Sequence, residues 1–140
     1  MAKNSSILDI NDILAGYGDE IQNLVRDEAE KVAKEGVKSL KSTSPRNKRA
    51  TASRGKYAKG WRVKKENSRG EVHCIIHNAT DYQLTHLLEK GHLNRDGSKT
   101  APRVHIKPVE EECISSFTKS VENGIRKASW LWNIKIFLIY

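Results

Sequence analysis

Apolar side chains recur from Ile10 through Leu14, Tyr17, Ile21, Leu24, Val25, Val32 and Leu40, at steps of three, four, seven and eight. That spacing repeats one face of a helix and predicts a long first helix. Its opposite face carries Asp19, Glu20, Asp27, Glu28, Glu30 and Glu35 with Lys31 and Lys34, and Glu30 stands four residues before Lys34, the favourable order for a helical ion pair. Gly36 costs roughly 1 kcal/mol inside a helix, so the helix is expected to fray or stop between there and Leu40. Ser42-Thr43-Ser44-Pro45 is a cluster of breakers.

Further on the period changes to two. Trp61 and Val63 alternate with charged residues, Asn67-Ser68-Arg69-Gly70 can turn the chain, and Val72, Cys74 and Ile76 alternate with His73, Ile75 and His77. This predicts a hairpin with a four-residue loop. Leu84, Leu87 and Leu88 form the stripe of a short helix, with Thr80-Asp81 placed to cap its start and Gly91 its end. His92 to Pro102 reads as a loop and Arg103-Val104-His105-Ile106-Lys107 as a third strand. Pro108, followed by Glu110, Glu111 and Glu112, predicts the start of a last helix whose Cys113, Phe117, Val121 and Ile125 face inward and whose Arg126 and Lys127 complete its negative end. The sum is an α+β fold, a long N-terminal helix and a C-terminal helix packed on one face of a small, mainly antiparallel sheet of about three to four strands.

At 140 residues the chain suits a single domain, 1–140, because two separate cores of half that size would each be marginal. Two cysteines, Cys74 and Cys113, are too few for a disulfide scaffold. The opening residues contain no apolar stretch of the kind a secretory signal needs, and the expected compartment is cytoplasmic. The formal net charge of +8 is a local feature: between Lys38 and Arg69 there are twelve Lys or Arg and one acid, Glu66. Residues 41–56 read as a basic, mobile loop. Lys41, Arg46, Lys48, Arg49, Arg54, Lys56 and Lys59 could follow a phosphate backbone or meet an acidic partner. A solvated loop with unneutralised charge reads equally well. The tail 128–140 is the other unusual segment, since Trp130 to Tyr140 is interrupted by Asn133 and Lys135 only. It is too short to span a bilayer, which takes about 20 helical residues. Being apolar and β-prone, it must pack in its own domain, pair with another subunit or aggregate. An interface is the favoured reading, with Trp130, Trp132, Ile136 and Phe137 the contact residues.

No catalytic constellation emerges. His73, Cys74, His77, His86, His92, His105 and Cys113 lack paired ligand spacing. His73 and His77 would lie about 13 Å apart on a strand, too far to share a metal. Cys74 reads as a small core residue rather than a nucleophile. Arg54-Gly55-Lys56-Tyr57-Ala58-Lys59-Gly60 lacks the closing Lys-Ser/Thr of a phosphate loop. His92, Asn94 and His105 are residue types of metal-dependent nucleases without the frame such a site requires. No metal or cofactor is expected.

Ser44-Pro45, then Gly55-Lys56-Tyr57-Ala58-Lys59-Gly60-Trp61-Arg62-Val63, then Tyr82 with Leu88-Glu89-Lys90-Gly91-His92, and finally His105-Ile106-Lys107-Pro108 occur in an order that resembles the neck, or head-tail joining, family of long-tailed bacteriophages, small virion proteins also described as minor structural or tail-completion components. The likeness covers roughly residues 10–127 and makes Pro45, Gly55, Tyr57, Trp61, Glu89, Gly91 and Pro108 the family-motif positions. It implies a non-enzymatic virion protein, made in the host cytoplasm, that forms a homo-oligomeric ring between the portal-side connector or head-completion protein and the tail terminator or tail tube. Double-stranded DNA would pass through the lumen, and no membrane is involved. Two features depart from the pattern: the loop between Pro45 and Gly55 is more basic than expected, and 128–140 match nothing in it. A basic DNA-binding protein or a metal-dependent nuclease using His92 and His105 is the alternative from another class.

Overall fold

The computed structural model describes the backbone of residues 5–47, 54–68 and 71–139, and the side chains within them apart from 5–11, 13, 68, 71, 72 and 130–139. The elements run α1 (Ser5–Thr43), α2 (Lys56–Lys59), β1 (Trp61–Ser68), β2 (Glu71–Asn78), α3 (Leu84–Lys90), β3 (His92–Leu93), β4 (Lys99–Thr100) and α4 (Ile106–Ile139). The class is α+β, with long N- and C-terminal helices and antiparallel strands. Among the described residues the strands form two separate pairs, β1 with β2 and β3 with β4, rather than one sheet of three or four.

The chain divides into two compact units. The first comprises Met1–Ala29 and Phe117–Tyr140, the outer parts of α1 and α4. Here Gly124 permits close approach, because a Cβ on it would fall 2.5 Å from Leu24 Cδ2. Ala128 is buried, whereas Leu14 and Ile125, expected on inward faces, are exposed. The second unit is Glu30–Ser116. Its core is Leu40, Tyr57, Trp61 and Val109, with Val37, Ile76, Leu88, Ile106 and Cys113 packed around them.

The hairpin register explains which residues join that core. Trp61 pairs with Asn78, Val63 with Ile76 and Lys65 with Cys74, so by the two-residue period these six share one face. Trp61 and Asn78 are buried and Val63, Ile76 and Cys74 half-buried, while Arg62 and Ile75 on the other face are exposed. At the solvent end of the inner face Lys65 reaches Glu30 of α1 at 2.7 Å, and Lys34 binds the same carboxylate oxygen at 2.8 Å. The two ammonium groups pull the Glu30 carboxyl down to about 2.

Four sequence expectations are corrected by tertiary context. Gly36 does not end α1, which continues to Thr43, because the absent side chain is what lets α1 approach its neighbours: a Cβ there would lie 2.7 Å from Cys113 Sγ and 2.9 Å from Ile76 Cδ1. Arg103–His105 is not a strand. α4 begins at Ile106, two residues before Pro108, because the chain here is held by side chains instead of a ladder. The tail is not β-structure either, since α4 runs on through 128–139 as backbone helix. The contacts expected of Trp130, Trp132, Ile136 and Phe137 lie outside the described side chains. Thr80-Asp81 does not cap α3, whose N-cap is Gln83. Among the described residues no helix is long and apolar enough to cross a membrane.

Candidate functional site

The motif residues that are far apart in sequence meet at the start of α4. Gly55, with φ at +77°, turns the chain into α2, a conformation L side chains rarely adopt. α2 then presents Tyr57 inward, with 7% of its surface exposed. Its hydroxyl lies 2.8 Å from His105 Nε2. His105, itself 4% exposed, has Nδ1 2.7 Å from the Arg103 carbonyl and 3.1 Å from Glu89 Oε2. Both neighbours of Nδ1 accept, so Nδ1 carries a proton, and in the neutral ring Nε2 accepts from the Tyr57 hydroxyl. Burial, and then the Glu89 charge, push that hydroxyl up to about 12, which keeps it a donor. Trp61 stacks edge-on against both rings, 5.7 Å from Tyr57 and 6.4 Å from His105, and donates its indole N–H to Ser44 Oγ at 2.8 Å.

Glu89, near the end of α3, holds the opposite side of this cluster. Its Oε2 accepts from the backbone N–H of His105 at 2.9 Å and of Ile106 at 3.0 Å, and its Oε1 from Lys107 at 3.0 Å. Burial pushes the carboxyl up, but these three bonds, and after them His105, outweigh it and leave the group below its ordinary value. Gly91 follows at φ +74°, and a Cβ there would meet Thr100 O at 2.5 Å, so the chain can leave α3 only with glycine in this place. Asn78 joins hairpin and α2, donating to Tyr57 O at 2.8 Å and accepting from the N–H of Thr80 and Asp81.

This arrangement is a structural knot. Both ring nitrogens of His105 are engaged, which removes it from the metal-binding pair with His92, an exposed residue of β3. Among the described residues no group of three or more His, Cys, Asp or Glu could hold a metal ion. Asn78 is not legible in the sequence as a fold-forming residue, because an asparagine carries no hydrophobic periodicity, and Ser44 and His105 stand out there only within the Ser44-Pro45 and His105–Pro108 motifs.

The cations behave differently. Lys41 is half-buried, Arg46, Arg54, Lys56 and Lys59 are exposed, and Lys48 and Arg49 lie outside the described residues. Gly55 brings several of them together: a Cβ on it would stand 3.6 Å from the Arg46 guanidinium and 4.0 Å from Lys59 Cε. Lys56 pairs with Asp81 at 3.4 Å, and Arg46 donates to the Lys41 carbonyl at 3.3 Å. Pro45, Arg46, Gly55, Lys56 and Tyr57 line one open groove with residues of α3. The motif and the basic segment thus adjoin, the first supplying shape and the second an exposed positive surface.

No curated protein and no solved structure matches the chain. Residues 9–91 match the family described as "Bacteriophage HK97-gp10, putative tail-component", a stretch that holds α2, the hairpin, α3 and every motif position up to Gly91. That match covers more than half of the sequence, and the chain belongs to this family of phage tail components.

Proposed function

We propose that the protein is a structural subunit of the phage neck, assembling as a ring that joins the head, through its portal-side connector or head-completion protein, to the tail terminator or tail tube. The observation that carries this reading is how the motif residues of this phage tail-component chain are used. Tyr57, Trp61 and Glu89 bond to one another's surroundings and hold a backbone shape, as an assembly part requires. In a ring each exposed cation is repeated by symmetry. Lys41, Arg46, Lys48, Arg49, Arg54, Lys56 and Lys59 would then either add modest phosphate contacts to duplex DNA in the lumen, without reading bases, or meet an acidic neighbour. Trp130, Trp132, Ile136 and Phe137 would serve contacts between subunits or with a virion neighbour.

Deleting the gene from a phage that carries it tests the reading. The expected result is filled heads and separate tails that fail to join, rescued by the wild-type chain, with electron microscopy of rescued particles placing the protein at the head-tail joint. Joined, infectious particles lacking the protein would refute it. So would nicking of supercoiled plasmid by the purified chain in Mg²⁺ or Zn²⁺, an activity the reading does not allow.

A further inference from the structure

The groove beside the knot has a volume of about 340 Å³. Its lining combines apolar surface from Pro45, Leu84 and Leu88 with the cations Arg46, Lys56 and Arg103. Lys56 is answered by Asp81, but neither Arg46 nor Arg103 has a carboxylate partner among the described residues. Leu84 is 41% exposed and its neighbour Tyr82 67%, so the apolar lining continues onto the surface. A phosphate backbone would satisfy the cations and leave the apolar lining without a counterpart. An acidic segment that also carries apolar side chains satisfies both.

The chain presents such a segment itself. Glu110, Glu111 and Glu112 of α4 are all exposed, and none has an ion-pair partner among the described residues. Ile114, 60% exposed, is four residues after Glu110 and three after Glu111, so these three share a helix face. We infer that the groove of one copy receives the Glu110, Glu111 and Ile114 face of α4 from a second copy. Groove and helix face are different surfaces, so the contact is heterologous: it repeats head to tail and closes into a ring when the rotation allows. The inference rests on the ring reading above and specifies the joint between its subunits.

Charge reversal on each side provides the test, with the full chain at matched concentration in sedimentation velocity and electron microscopy. One variant carries Arg46→Glu with Arg103→Glu, the other Glu110→Arg with Glu111→Arg. All four side chains are exposed, and melting curves are to check that both variants fold. Each alone should need at least about tenfold more protein to assemble, as should the wild type in 1 M salt, where exposed charges are screened. An equimolar mixture should recover wild-type assembly, because each reversed groove then meets a reversed helix. Failure of the mixture to recover overturns the pairing of these two surfaces. Rings formed by both variants as readily as by the wild type overturn the joint and leave the ring reading standing. A groove variant that still assembles but loses retention of duplex DNA makes the groove a phosphate site instead. A wild-type chain that stays monomeric at every concentration, and in the particle, ends both readings.

Discussion

Glu89 and Pro108 between them account for every backbone N–H that the start of α4 leaves without an intrahelical partner. A helix beginning at Ile106 orphans the donors of residues 105 to 108. The Glu89 carboxylate takes the first three, and proline has no fourth to offer. Glu110, Glu111 and Glu112, expected beside the helix N-terminus, therefore fall beyond the first turn, where the dipole effect has faded, and a carboxylate from α3 stands in their place. Glu89→Ala should destabilise the fold by about 2 kcal/mol, the scale of a lost charged cap, measured by urea unfolding. Glu89→Gln, with one accepting oxygen, should lose less. Equal stability of the alanine variant and the wild type would mean that water replaces the cap at no cost.

The same carboxylate sets an acid limit. Its folded value lies below the ordinary 4.5, so the unfolded chain binds the proton more readily. The stabilisation is fully present above the unfolded value and is lost as pH falls through the folded one. Glu30, held near 2 by Lys34 and Lys65, acts in the same direction. The urea midpoint should therefore decline as pH drops below about 4.5, and Glu89→Gln should decline less steeply. Parallel curves for the two proteins would remove Glu89 from the account.

Much of this fold was legible because it is written in periodicity. The α1 stripe, the Trp61–Ile76 alternation and the Leu84–Leu88 helix each need only local spacing, but the hairpin register does not follow from them: Ser68 pairs with Glu71, whereas a four-residue loop at 67–70 would have paired Glu66 with it. What sequence could not supply are bonds whose partners lie far along the chain. Arg103–Lys107 alternates as a strand does, yet it forms the entry to α4 because Glu89, sixteen to eighteen residues earlier, claims its N–H groups. The apolar run after Ala128 has the composition of a strand and the backbone of a helix, since α4 is already propagating when it arrives there. The candidate site divides along the same line. The basic segment could be seen in composition, whereas the groove depends on Pro45 and Arg103 being brought together by folding.

Removing the Tyr57 hydroxyl should test the knot. Tyr57→Phe keeps the ring in the core and leaves buried His105 Nε2 without its 2.8 Å partner, a loss of about 1–2 kcal/mol. Ser44→Ala deprives the Trp61 indole N–H of Ser44 Oγ and should cost a similar amount. Chemical denaturation of the two single variants and the double variant would establish whether the losses add. Both bonds converge on the Tyr57–Trp61 ring pair, so the double variant should lose less than their sum. Strict additivity would mean that the two bonds stabilise the core independently.

Two glycines of α1 should respond in opposite directions to the same change. Helix propensity alone favours alanine over glycine by about 1 kcal/mol in a helix interior. At Gly18 a Cβ meets nothing within 4 Å, so Gly18→Ala should stabilise by that order. At Gly36 the added carbon would lie under 3 Å from both Cys113 Sγ and Ile76 Cδ1, and neither neighbour is a free surface end: both pack against the core. Overpacking of this kind costs about 1–3 kcal/mol, enough to cancel or reverse the propensity gain. Gly36→Ala should therefore leave the melting temperature unchanged or lower, while Gly18→Ala raises it. A rise at both positions would mean that α1, α4 and β2 can separate freely at Gly36, and that the close approach there does not hold the second unit together.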